Sequence, residues 1–296
     1  MLYNKQKQRT FRPAAMLKHS RPPLFLLVML LALVILQLKQ VQADDPWQEL
    51  HDGLELSTGE ELCAQTEDSC SGLVVLRIDP EQYQLLLLSA SEKGQSKRTL
   101  KGWAREYNLQ AVINAGMFWE DLQTSVGFMK NFEHLNNQAI HPEFNAFLAF
   151  NPVSSKFPAV QLVDKKNQPQ WEDVLKDYQS VVQSYRMISN QGKNVWEQND
   201  KSYSVASVGL DQEGRLLFIF SEQPRNIYEL NNILLKLPLG IQSCMFMEGG
   251  PTAGLYVDAG AESRSWQGVS ESSLWSSKPG NYTKVPNVLG VAKRKE

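Results

Sequence analysis

The chain has 296 residues, 42% hydrophobic and 21% charged, with a formal net charge of −2. These are ordinary globular numbers, which exclude a disordered or fibrous chain and suffice for a sizeable core. Residues 1–43 hold seven Lys or Arg and no acid, so the remainder carries 23 basic against 32 acidic residues; that balance lacks the basic face a nucleic-acid binder needs.

The first 43 residues run from a basic stretch through an apolar segment at 24–36 to Val41-Gln42-Ala43. That is the order of a secretory signal cleaved before Asp44. Thirteen apolar residues fall short of the ~18–20 of a spanning helix. The alternative, an uncleaved membrane anchor over residues 24–38, delivers the body to the same side. The body is therefore expected outside the cytoplasm, periplasmic or extracellular, touching a membrane only through this N-terminal segment. There its cysteines would meet an oxidising compartment, and Cys63 and Cys70 could close a small loop, which spacing alone leaves open. Residues 44–72 read as a polar N-terminal extension and residues 73–296 as the functional domain.

Within that domain, residues 74–79 and 83–89 are apolar runs either side of Pro80, the pattern of a two-stranded hairpin. Leu100, Trp103 and Tyr107, at spacings of three and four, mark an amphipathic helix over 96–107. Residues 110–114 read as a buried strand ending at Ala115-Gly116. Further strands are expected at 126–130, 146–150, 160–163 and 180–183, with a short helix at 171–178. The second half repeats the order: strands at 204–210 and 215–221 around a turn at 211–214, a helix near 226–237, and a strand at 243–248 ending on two glycines. Residues 263–281 read as a long surface loop, and 285–292 as a closing strand. Asn281-Tyr282-Thr283 fits a glycosylation sequon. Runs of strands with few helices predict an α+β (mixed α/β) single domain, with a mixed, mainly antiparallel twisted β-sheet flanked by a few helices.

Nucleotide-binding glycine loops, H-E-x-x-H and G-x-S-x-G are all missing from the sequence, and no cofactor is expected. Four histidines are few for a metal centre; His134 and His141 read as exposed loop residues, and Cys244 as a buried core thiol. Glu120, Asp121 and Asp211 leave a bound divalent ion open. Two loops stand out. Asn114-Ala115-Gly116-Met117-Phe118 puts an amide and a glycine directly after a buried strand, where Gly116 permits close backbone approach. Glu248-Gly249-Gly250-Pro251-Thr252 puts a carboxylate after three apolar residues and before two glycines, a place suited to an acid, base or nucleophile beside a small polar ligand.

Together with Gln183-Ser184-Tyr185-Arg186 and the strand at 205–210, these ordered segments resemble the phosphodiester glycosidase family, over most of the expected exported chain. Two departures stand out: Glu248 occupies a position where many relatives have Asp, and Tyr203-Ser204 replaces an Arg common among them. The resemblance implies an exported hydrolase acting on a sugar-1-phosphodiester or a related envelope or exopolysaccharide glycan. Such chemistry passes through an oxocarbenium-like state and needs negative charge near C1 with donors for the departing phosphate. Glu248 is then the nucleophile or general base, Asn114 a donor to the substrate, and Arg186 the phosphate partner. The Gly249 and Gly250 N–H groups form an anion cradle, and Gly116, Phe118, Gln183, Ser184, Tyr185 and Thr252 are further substrate contacts. The rival expectation is a non-catalytic glycan-binding or envelope scaffold module that uses the same pocket.

Overall fold

A run such as Leu216-Leu217-Phe218-Ile219-Phe220 is buried at every position. That pattern fits a strand flanked on both sides and covered on both faces, and the structure is built around such strands. The computed structural model describes residues 45–64, 69–94, 96–258, 260, 263–269 and 283–294. The expected export segment and the sequon at Asn281 lie outside the described residues.

In chain order the elements begin with β1 (Gln48–His51), β2 (Leu54–Thr58), α1 (Gly59–Leu62), β3 (Leu73–Ile78) and β4 (Tyr83–Ser89). There follow α2 (Leu100–Tyr107), β5 (Ala111–Asn114), β6 (Met129–Asn131), β7 (His134–Asn137), β8 (Ala146–Pro152) and β9 (Val160–Asp164). The second half holds α3 (Trp171–Lys176), β10 (Tyr178–Ser184), β11 (Arg186–Ile188), β12 (Tyr203–Asp211), β13 (Leu216–Arg225) and α4 (Ile227–Lys236). It closes with β14 (Ile241–Gly249), β15 (Gly254–Asp258), β16 (Ser263–Gln267) and β17 (Asn287–Lys293).

These strands form three sheets rather than the one expected. The largest has seven strands in the order β1-β2-β3-β13-β12-β14-β11; the other two have five each, β7-β6-β10-β8-β9 and β16-β15-β5-β17-β4. The strand pairs are antiparallel, so the fold is mainly β and the α+β expectation holds only in part. The main core gathers Leu76, Phe218 and Met247 from the first sheet, Leu148 and Val182 from the second, and Ile113, Leu255 and Leu289 from the third. Helix α2 starts where the Thr99 side chain accepts the Gly102 N–H at 3.0 Å and ends at Asn108 in the left-handed region. It buries Trp103, whose indole N–H donates to the Val285 carbonyl at 3.1 Å.

Three other local expectations are corrected. Residues 74–79 and 83–89 are strands but not a hairpin: β3 pairs with β2 and β13, while β4 pairs with β17. The turn at 79–82 is there, with the Asp79 carbonyl accepting from the Gln82 and Tyr83 N–H groups, but other strands, two of them far along the chain, supply the partners. Residues 44–72 are not merely a polar extension. Leu54 and Leu56 on β2 are buried, Cys63 and Cys70 form a disulfide with Cα atoms 6.0 Å apart, and Leu62 and Cys70 join the core under α4. Residues 263–267, expected in a loop, pair in register with β15.

A chain beginning at Leu73, the boundary read from sequence, strips β2 from β3 and removes Leu54, Leu56 and Leu62 from the core. At roughly 1.5–3 kcal/mol per fully buried aliphatic side chain, it should lose about 4.5–9 kcal/mol against a chain beginning at Pro46. The denaturant midpoints of the two chains measure this directly.

Candidate active site

Strand β14 alternates as its neighbours require. Met245 and Met247 face the main core, and Phe246 and Glu248 face the other way, into a cleft of about 950 Å³. Opposite Ala206 and Ser207 the β12–β14 register shifts by one residue, so that Ser207 pairs with Phe246 and Ala206 with Glu248. Such a bulge bends a strand and re-aims its side chains, here just where the carboxyl group leaves the sheet.

Glu248 is only 8% exposed. Burial pushes its carboxyl up to about 7, against the opposing pull of hydrogen bonds from the Gly249 N–H and the Thr252 hydroxyl. The Gly249 N–H lies 2.9 Å from Glu248 Oε1, and the Thr252 hydroxyl also lies 3.2 Å from the Gly249 carbonyl. The Gly249 N–H is thus occupied by the acid and does not cradle a ligand. Gly249 has no room for a side chain, because a Cβ there would come within 2.8 Å of the Tyr203 ring. Gly250, with φ at +67°, borders the cleft with open space around its Cα.

The two glycine loops do meet, but through the backbone. Asn114, 1% exposed, donates from Nδ2 to the Thr252 carbonyl at 2.9 Å and accepts the Gly254 N–H on Oδ1 at 2.9 Å. Its amide is spent on fixing the turn that follows Glu248, and it does not line the cleft, so the expected donor to substrate becomes a clamp. Arg186 does line the cleft, but its Nη1 lies 2.7 and 2.9 Å from the two carboxylate oxygens of Asp164. The charge expected to meet phosphate is already paired. Asp164 also accepts from the backbone N–H groups of Lys166, Asn167 and Asn190, which makes this pair a fixed part of the wall.

The remaining expected contacts divide. Tyr185 lines the cleft; burial raises its hydroxyl, and hydrogen-bonded Glu143 adds to the rise. Gln183 is buried and spends its whole amide on backbone, accepting from Phe128 and His141 N–H and donating to the His141 and Phe144 carbonyls. It holds the segment 141–144 as a wall rather than touching a ligand. Ser184 is buried, and its hydroxyl has no partner among the described residues. Gly116, at φ +106°, sits against Val182 and Ser125, and Phe118 bridges to Ser125; neither borders the cleft, which Met117 reaches instead. Of the two histidines, His134 lies on β7 rather than in a loop, 2.9 Å from the Ser91 hydroxyl. Cys244 is buried as expected, and burial pushes its thiol up to about 12. Among the described residues no three His, Cys, Asp or Glu side chains gather to hold a metal ion.

Apart from Tyr185, Arg186 and Glu248, the cleft's aromatic and charged lining lies beyond what the sequence reading singles out. Tyr185, Trp196, Phe246 and Tyr203 follow one another at centroid separations of 5.6, 6.0 and 6.2 Å. Lys166 and Lys201 lie on the cleft and form no ion pair among the described residues. The signal for Trp196 and Tyr203 was present: two aromatics set among Asn, Gln, Glu and Lys at 194–203, without any helical or strand period.

The family model for phosphodiester glycosidase matches residues 107–292. Among solved structures, the fold is similar to the catalytic domain of zebrafish N-acetylglucosamine-1-phosphodiester alpha-N-acetylglucosaminidase, auto-inhibited by its pro-peptide. The TM-score is 0.55 at 12% identity, over 75% of this chain and 77% of that one. A hypothetical protein from Synechocystis is similar at TM-score 0.57 and 14% identity, over 85% of this chain and 64% of that one. No curated protein matches the sequence.

The raised Glu248 carboxyl carries a stability consequence. Between the ordinary glutamate value of 4.5 and about 7, the unfolded chain releases this proton before the folded one does. Glu248 should therefore lower stability as pH rises through that window, on the order of 3 kcal/mol in full. Glu248→Gln should unfold at a higher temperature than the parent at pH 8 and match it near pH 4, as read from melting curves across pH. Asn114→Ala leaves the Thr252 carbonyl and the Gly254 N–H unpaired and should cost about 1–3 kcal/mol for each group so stranded, measured by denaturant unfolding.

Proposed function

Because the chain belongs to the phosphodiester glycosidase family, we propose that its cleft hydrolyses a sugar-1-phosphodiester, alone or within an envelope or exopolysaccharide glycan, with Glu248 as general base. The observation that carries this reading is one buried carboxyl, which burial pushes up to about 7, in a cleft that also holds aromatic rings and two lysines with no ion pair among the described residues. A base works best when its pKa lies near the working pH. A carboxyl whose hold on a proton burial has raised suits proton abstraction from water better than direct attack on carbon.

Water, losing a proton to Glu248, attacks C1 as the bond to the phosphate oxygen breaks through an oxocarbenium-like state. The phosphate leaves as a weak base and needs no acid. Lys166 and Lys201 take its charge, the role read from sequence for Arg186. Gly250 completes the anion side of the site, and Tyr185 and Trp196 offer rings to the sugar. Asn114, Gln183 and Thr252 act as positioning residues, through the turn at 249–254 and the wall at 141–144. The Cys63–Cys70 disulfide supports an oxidising compartment, in keeping with an exported domain in the periplasm or outside the cell, released by cleavage or held by an N-terminal anchor. Among the described residues, no helix is long and apolar enough to cross a membrane.

The test is turnover by the purified chain of sugar-1-phosphodiesters, starting with the N-acetylglucosamine-1-phosphodiester named for the zebrafish enzyme. Glu248→Gln should lose on the order of 10²–10⁴ in kcat, and kcat/KM of the parent should climb with pH to a plateau above about 7. A chain that binds these glycans without turnover, with affinity unchanged in Glu248→Gln, would instead be a binding module.

A further inference from the structure

The charged lining of the cleft is Lys166, Arg186 and Lys201 against Glu143, Glu197 and Glu248. One further carboxylate acts on it without lining it. Asp164, 3% exposed at the end of β9, lies with its two oxygens 2.7 and 2.9 Å from Arg186 Nη1. It also accepts from the Lys166, Asn167 and Asn190 N–H groups and from the Asn167 side-chain amide. So many donors fix the carboxylate where it stands, against the guanidinium. The three cations of the cleft are thus matched by Glu143, Glu197 and Asp164. While Glu248 is protonated the balance is zero, and once it ionises the balance is negative.

That balance bears on which phosphate the site accepts. A phosphodiester carries one negative charge, whereas a phosphate monoester, with a second pKa of about 6, carries nearly two above neutral pH. The cost of taking an ion out of water grows as the square of its charge, so the monoester loses about four times as much solvation. Only a surplus of cations repays that loss, and Asp164 removes the surplus that Arg186 would supply. We propose that Asp164 is a specificity-determining residue: by neutralising Arg186 it fits the cleft to a singly charged phosphodiester and against a doubly charged phosphate monoester. This rests on the hydrolytic reading above, in which a monoester is what the reaction releases. The same charge balance that admits the substrate then favours departure of the product. Asp164 also accepts the Lys166 N–H at 3.1 Å and so helps to place a lysine proposed for the phosphate, a structural role that acts on both esters alike.

Glucose 1-phosphate and its methyl diester serve as probes at pH 8, bound to the full chain carrying Glu248→Gln and followed by calorimetry. The diester should bind about tenfold more tightly than the monoester; a monoester bound as tightly or more so would overturn the selectivity. Adding Asp164→Asn keeps an oxygen for the backbone N–H groups and drops the charge. It should move the ratio of the two affinities about tenfold towards the monoester. If both affinities fall together and the ratio stays, Asp164 only props the wall and its assignment is overturned. Should Asp164→Asn fail to fold, Arg186→Gln exposes the Asp164 charge instead and should move the ratio about tenfold the other way, an unmoved ratio again overturning the assignment. Turnover of the diester by the parent chain is read separately. Selective binding without any hydrolysis would overturn the hydrolytic reading, whereas hydrolysis with unselective binding would overturn the role of Asp164 alone.

Discussion

The side chain of Asn114 is the constraint on which the site depends. Strand β14 leaves the seven-stranded sheet and, after the short 3-10 turn at Gly250–Thr252, re-enters the protein as β15 in a different sheet. A chain crossing between sheets has backbone groups that neither ladder can satisfy. Asn114, at the end of β5, supplies both a donor and an acceptor at that crossing. Because β5 is itself held between β15 and β17, the position of the turn, and with it the aim of Glu248, is referred to the core of the third sheet. A carboxyl group can be kept in a poorly solvated place only if the backbone around it cannot relax to let water in.

Much of this was legible in the sequence, for reasons that differ by element. Strands such as 216–220 and 243–247 declare themselves because burial on both faces demands unbroken apolar runs, and Glu248 stands out as the polar residue that ends one. The pairing of strands was not legible: residues 74–79 and 83–89 look like neighbours because they are close in sequence, yet β3 lies between β2 and β13, and β4 pairs with β17, far along the chain. Amide side chains misled for a related reason. Asn114 and Gln183 carry the same groups whether they face a ligand or a stranded backbone carbonyl, and only the fold says which. Arg186 was read as an open charge because its partner Asp164 lies 22 residues away, at the end of β9.

The cleft's chemistry comes from the division between wall and lining. Paired or fully bonded groups, among them Arg186 with Asp164 and Gln183 with the 141–144 backbone, give rigidity. Exposed groups on the segments 142–145 and 195–203 give the site its polar character. The cleft's aromatic rings pack edge to face or tilted, so they form one interlocked unit rather than a set of separate platforms.

The contact between Tyr203 and Gly249 has an evolutionary consequence. The ring occupies the volume that any side chain at 249 would need, so the two positions cannot vary independently. With the Tyr203 ring in place, the glycine beside the acid is obligatory, and a bulkier residue at 249 fits only where the residue at 203 is smaller, so the two positions should change together or not at all.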